Sequence, residues 1–154
     1  MKRFKIIILS FYLLLTSIVP SLGAGSDGDL LKVDWSFKGL TGKFDRSSLQ
    51  RGFQVYKEVC SSCHSMQYLS YRNLGESGGP EFSEQEVKAI AASIEIDDGP
   101  DSQGEMFTRP GRPADKFKSP YPNVNASIAA NGGAYPPDMS VLVKARPGGS
   151  NYIY

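Results

Sequence analysis

Residues 60–64 read Cys-Ser-Ser-Cys-His, and this one pentapeptide holds both cysteines and the single histidine of the 154-residue chain. No other feature limits the possible folds as much. A small domain stapled by disulfides would carry more cysteines at wider spacing. These two can only act together, within one turn of backbone. C-x-x-C-H is the attachment signature for c-type haem. Two thiols on one turn can each add to a vinyl group of the same porphyrin, and the adjacent histidine then lies beneath the iron and supplies its nitrogen. Cys60 and Cys63 are therefore the candidate thioether residues for one covalently attached haem c, and His64 is the candidate ligand of its iron.

Three rival chemistries fit less well. A zinc site needs about four ligands, and two cysteines with one histidine in one loop fall short. A thioredoxin-like redox pair needs a βαβ context, which the sequence does not show. A lone disulfide would leave the histidine unexplained.

The N-terminus supports export. Lys2, Arg3 and Lys5 precede an apolar run from Ile6 to Pro20, and small residues follow at Ser21, Gly23 and Ala24. This is the layout of a signal peptide over residues 1–23, cleaved after Gly23 or Ala24. The run is shorter than the ~20 residues of a usual membrane span. Export suits the motif, because haem is joined to such proteins outside the cytoplasm. The 17 basic and 16 acidic residues nearly balance, so nothing points to nucleic acid as a partner.

Ten prolines and sixteen glycines imply many loops. Residues 24–46 read as an irregular N-terminal arm, with Trp35, Phe37 and Phe44 as anchors. A helix is expected from Ser47 or Ser48, either of which can cap it. Its apolar face would be Leu49, Phe53, Tyr56 and Val59, and it would lead straight into Cys60. A second helix starts at Ser83, which forms a capping box with Glu86, and carries the stripe Val87, Ile90, Ala91, Ile94. From Gly99 to Pro122 no period is visible, which suits a segment wrapping a ligand. Short helices are expected from Asn123 or Asn125 to Ala130, and from Asp138 to just before Pro147. No strand alternates convincingly. Ser150 could cap a further helix, but four residues cannot offset the cost of nucleation.

An iron in a haem that transfers electrons usually takes a methionine as its sixth ligand. Met66 is too near His64 to reach the opposite haem face. Met106 and Met139 read as loop or core contacts. The sixth ligand is left unassigned.

Several stretches resemble the cytochrome c1 family. They are RGFQVYKEVCSSCHSM (51–66), DGPDSQGEMFTRPG (98–111), PYPN (120–123), ANGGAYPPDMS (130–140) and ARPGGSNYIY (145–154). The resemblance implies a mainly α, class I-like c-type cytochrome with long irregular loops around one haem. It implies that Arg109 pairs with a haem propionate, which suits a guanidinium, and that the PYPN block lines the haem pocket. The family's axial methionine and membrane-anchoring helix would lie beyond Tyr154, so the cytochrome domain at 47–154 is expected to be C-terminally incomplete.

The function implied is electron transfer from a Rieske-type iron–sulfur protein to a soluble cytochrome c, beside cytochrome b in the quinol–cytochrome c oxidoreductase (bc1) complex. The chain would make no bonds itself. It would sit on the periplasmic side of the bacterial inner membrane, or the intermembrane-space side in mitochondria, membrane-associated through the complex. Glu95, Asp97, Asp98, Asp101 and Glu105 form an acidic stretch that could steer a basic cytochrome c. The alternatives are a soluble periplasmic cytochrome of another pathway, a secreted thiol–disulfide enzyme using Cys60 and Cys63, or a shortened product that never matures.

Overall fold

A computed structural model describes residues 30–154. The expected signal peptide, residues 1–23, lies outside the described residues, as does the first part of the arm.

Helix α1 runs over Arg46–Glu58. Its cap is Asp45 rather than Ser47 or Ser48: the Asp45 carboxylate accepts from the backbone N–H of Ser48 at 2.7 Å and from the Ser47 hydroxyl at 2.7 Å. A carboxylate is the stronger cap because its charge also meets the positive end of the helix dipole. Ser47 and Ser48 fall inside the first turn, where their hydroxyls accept from the Arg51 guanidinium. The inner face is Leu49, Phe53 and Tyr56, of which Tyr56 is buried. Val59 follows the helix end and is exposed, so it does not join that face.

Helix α2, Glu84–Ala92, starts as its sequence predicts. The Ser83 hydroxyl accepts from the Glu86 N–H, and the Glu86 carboxylate accepts from the Ser83 N–H at 2.7 Å. Val87 and Ala91 are buried, and Ile90 and Ile94 pack at the edge of the core. Between α1 and α2 the chain makes 3-10 turns at Cys60–Ser62 and Tyr71–Gly75.

Two short strands do form, contrary to the sequence reading. Strand β1 (Glu95–Asp98) pairs antiparallel with β2 (Phe107–Pro110), with Ile96 opposite Arg109. Charged residues and a proline hide the alternation, and a salt bridge between side chains on the two strands supplies what apolar pairing does not. Directly after β2 the chain crosses the end of α2. A side chain at Gly111 would meet the Ala91 carbonyl oxygen at 2.5 Å, so only glycine fits this approach. The Gly111 N–H then donates to the Ile94 carbonyl at 2.8 Å.

The segment after Gly111 is irregular but fully tied down. Arg72 and Tyr71 donate backbone bonds to Pro113 and Asp115, and Phe117 donates to Leu69. These bonds deliver Phe117 into the core beside Tyr56, Tyr71, Leu74, Val87 and Ala91. Its ring lies 4.8 Å from that of Tyr71 and 5.9 Å from that of Tyr56. The core is thin: among the described residues no large side chain is fully buried.

Three short helices follow: α3 (Val124–Ala130), α4 (Leu142–Ala145) and α5 (Ser150–Ile153). The Asn123 side chain caps α3 by accepting from Ala126. Gly132, at φ 62, turns the chain away after it. Asp138 does not start a helix. Its carboxylate is engaged elsewhere, and α4 begins only at Leu142. The single turn α5 holds against the arm: Asn151 accepts from the Trp35 indole at 2.7 Å.

Candidate functional site

The C-x-x-C-H segment sits where α1 ends. The last carbonyls of a helix lack partners within it. Here Ser61 donates its hydroxyl to the Lys57 carbonyl at 2.8 Å, and Ser62 donates to the Val59 carbonyl at 2.7 Å. The two serines between the cysteines thus close the helix and tighten the chain into the 3-10 turn. A 3-10 turn has three residues per revolution, so positions i and i+3 eclipse. Cys60 and Cys63 stand in that relation, and the Cys63 N–H donates to the Cys60 carbonyl at 3.1 Å. Both thiols are free and half-buried.

His64 follows on the same turn, its N–H donating to the Cys60 carbonyl at 2.8 Å. Its imidazole Nδ1 lies 2.8 Å from the Pro137 carbonyl oxygen. A carbonyl only accepts, so Nδ1 carries the proton and Nε2 of the neutral ring keeps its lone pair. This is the tautomer a metal ligand needs, and such a second contact fixes both the ring's orientation and its basicity. The Tyr56 hydroxyl reaches the His64 carbonyl at 3.4 Å. Burial first, then the neighbouring Tyr71, pushes the Tyr56 phenol up to about 12, so it stays a donor.

Two clefts flank the turn. One, of ≈ 280 Å³, is walled by Phe53, Tyr56, Tyr71, Ile90, Ile94 and Phe117. The other, of ≈ 170 Å³, is lined by Cys63, Ser65, Pro120, Tyr121, Pro122 and Tyr135 among others. Ser119 and Pro120 border both. The Pro-Tyr-Pro-Asn block at 120–123 therefore shares a wall with Cys63. Among the described residues no three His, Cys, Asp or Glu side chains are grouped to hold a metal ion. An iron at His64 would take one protein nitrogen from this turn and would need a group such as a porphyrin for most of the others. Two half-buried thiols three residues apart, one imidazole whose Nδ1 is engaged, and clefts that Ser61 and Cys63 border fit a covalently held haem.

Arg109 lies on β2 and, like Cys60 and His64, lines neither cleft. Its Nε donates to Asp98, and its two terminal nitrogens grip Asp115 at 2.7 and 2.9 Å. The bidentate guanidinium holds the Asp115 carboxyl down to about 2. Both carboxylates in turn push the Arg109 pKa higher still. The structure thus brings Cys60, Cys63 and His64 together and binds Arg109 into an ion triad of its own.

The methionines fall where the sequence put them. Met106 is exposed in the loop between β1 and β2. Met139 packs at the edge of the core, its N–H donating to the Ser65 carbonyl at 2.8 Å. Pro137 and Asp138, which face the His64 segment, were not singled out from sequence as site residues. Asp138 accepts from the Ser140 N–H at 2.9 Å, a turn that Pro-Pro-Asp-Met-Ser could have signalled.

A nucleophilic C-x-x-C pair gains from a helix N-terminus. This one follows the carbonyl end of α1, which does not favour the thiol–disulfide reading. The turn and its imidazole are of the kind found in proteins that carry haem on a C-x-x-C-H segment. Comparison with known proteins narrows that class. The Cytochrome C1 family model matches residues 35–154. Cytochrome c1 of Rhodospirillum rubrum is 58% identical over 125 residues, covering 81% of this chain and 45% of that protein. The mitochondrial cytochrome c1-2 heme protein of Solanum tuberosum is 53% identical over 120 residues, 78% of this chain and 45% of its own length. Cytochrome b/c1 of Bradyrhizobium diazoefficiens is 58% identical over 118 residues, 77% of this chain and 17% of its own. The chain belongs to the cytochrome c1 family. That family carries covalently bound haem c with iron at its centre. The chain spans less than half the length of these relatives.

Proposed function

We propose that this chain is the haem-bearing electron carrier of a quinol–cytochrome c oxidoreductase, the bc1 complex. It relays single electrons from a Rieske-type iron–sulfur protein to a soluble cytochrome c, beside cytochrome b. Its place is the periplasmic or intermembrane-space side, membrane-associated through the complex. Its architecture is a class I-like cytochrome with long loops. The observation that carries this reading is the Cys60–His64 turn, which sets the two thiols three residues apart on a 3-10 turn and has the His64 ring held by Pro137.

When bound, the haem supplies a one-electron iron couple. Cys60 and Cys63 would hold it through thioether bonds. His64 would ligate the iron through Nε2, with its ring held by the Nδ1–H bond to Pro137. Phe53, Tyr56, Tyr71 and Phe117 would shield it from water. Arg109 is the proposed partner of a propionate. Four of its five N–H donors are spent on Asp98, Asp115 and the Pro110 carbonyl. A propionate would therefore take the remaining donor or displace Asp98, whose side chain is the more exposed of the two acids at 40% against 18%.

The acidic docking surface is narrower than the sequence suggests. Asp98 is bound by Arg109, and Asp97 stands 3.5 Å from Lys118. Glu95, Asp101 and Glu105 are exposed, and no ion pair is found for them among the described residues. These three are the candidates for steering a basic partner.

The test is the intact mass of the chain, purified under denaturing conditions from membranes of its native host. A mass raised by one haem, together with co-purification of a b-type cytochrome, is the expected result. An exported chain without added mass would overturn the haem reading. A haem-bearing chain found only in the soluble periplasm would move it to another electron-transfer pathway.

A further inference from the structure

The bond between His64 and Pro137 needs something to hold it. Pro137 is exposed, so its carbonyl depends on the turn that carries it to stay in place. The next residue provides the anchor. Asp138 is half-buried, and its carboxylate gathers three donors. One oxygen accepts from the Ser65 hydroxyl at 2.7 Å and from the Gln67 N–H at 2.9 Å, and the other accepts from the Ser140 N–H at 2.9 Å. The first two donors lie one and three residues beyond His64. The third fixes the turn that carries Pro137. Two further bonds run alongside: Met139 N–H to the Ser65 carbonyl at 2.8 Å, and Tyr68 N–H to the Ser140 hydroxyl at 3.1 Å.

We propose that Asp138 is a positioning residue: it clamps residues 137–140 to residues 65–68 and so keeps the Pro137 carbonyl on the His64 imidazole. It touches neither the haem nor its iron. Its action passes through Pro137, and it sets how strongly His64 donates to the metal. Charge-assisted bonds are the stronger kind, and three of them converge on one carboxylate. Without the clamp the peptide carrying the Pro137 carbonyl would be free to turn toward water. The Nδ1–H bond would weaken and the ring would donate less strongly to the iron, which favours the ferrous over the ferric state.

This inference rests on His64 being the iron ligand, and the test separates the two. Resonance Raman spectroscopy of the ferrous haem, in its five-coordinate form or just after photolysis of bound carbon monoxide, reads the iron–histidine stretch. Asp138→Asn keeps the shape but sets an NH₂ group against one of the backbone donors. The stretch is expected to move to lower wavenumber and the midpoint potential to rise. Ser65→Ala removes a single donor and keeps the charge. It serves where Asp138→Asn fails to mature, and a smaller shift in the same direction is expected. Val87→Ala, a destabilising change in the core, should move neither reading. A wild-type spectrum without the stretch would overturn the His64 assignment, and this proposal with it. A wild-type stretch that neither Asp138→Asn nor Ser65→Ala moves would overturn the proposal alone.

Discussion

His64 Nδ1 donates to the Pro137 carbonyl at 2.8 Å, joining residues 73 positions apart in the chain. The Cys60–His64 turn is therefore not a free-standing motif. Its thiols are set by the end of α1, and its imidazole is set by a loop from the far half of the chain. The two parts should fail differently. Cys60→Ala or Cys63→Ala alone should leave haem bound through the other thioether, with reduced yield. The double variant should release all haem to acidic acetone. His64→Ala should keep covalent haem while changing its visible spectrum. Haem stain on a denaturing gel, beside the extracted fraction, reads the first two. Haem surviving extraction in the double variant would refute the thioether assignment.

Phe117 is the one large residue that the irregular segment lends to the core. It is 6% exposed and touches the rings of Phe53, Tyr56 and Tyr71. Truncation to alanine removes these contacts and opens the cleft they wall, so Phe117→Ala should cost about 3–5 kcal/mol. Phe117→Leu should cost markedly less, because volume is partly kept. Denaturant midpoints of the two variants check the order.

Residues whose roles depend on near neighbours were legible in the sequence. The Ser83–Glu86 capping box works within one turn, so four residues determine it. The Cys60–Cys63–His64 arrangement is legible for the same reason. The stripe on α1 was read correctly at Leu49, Phe53 and Tyr56, and overran at Val59 because nothing local announces where a helix meets a 3-10 turn. The strands were missed because their pairing is held by Arg109 and Asp98 rather than by an apolar face. Asp138 was misread as a helix start. Asp before an apolar run is a fair capping signal, but its carboxylate is drawn to Ser65 and Gln67, more than seventy residues away.

The Arg109 triad gives stability a pH signature. The bidentate bond from Arg109 holds Asp115 at about 2, below its ordinary 3.8. A carboxyl depressed in the folded state contributes stability that is fully present above its unfolded value. That contribution fades as pH falls from about 4 toward 2. Asp98 is lowered in the same direction, with the Arg109 hydrogen bond as the largest cause. Asp115→Asn should therefore melt below wild type at neutral pH, and the gap should close by about pH 2. Melting curves taken across that range test it, and a gap constant with pH would remove the ion pair from the account.

Asn151 closes the far end of the chain. Its side-chain oxygen accepts from the Trp35 indole at 2.7 Å and from the Val33 N–H at 3.3 Å. Trp35 stacks on Phe37 at 5.5 Å, Phe37 on Phe44 at 4.7 Å, and Tyr154 meets Trp35 edge-on at 5.4 Å. The arm is thus a row of aromatics pinned by one amide. Asn151→Ala strands the indole donor, at a cost of about 1–3 kcal/mol. The loss is local, so it should appear as opening of the arm before any change in global melting. Trypsin cleavage at Lys32, Lys38 or Lys43 should speed up about tenfold for ~1.4 kcal/mol lost. Asn151→Asp keeps an acceptor for both donors and should stay near wild type. Equal cleavage rates in the alanine and aspartate variants would mean that packing of the aromatic row, and not the hydrogen bonds, holds the arm.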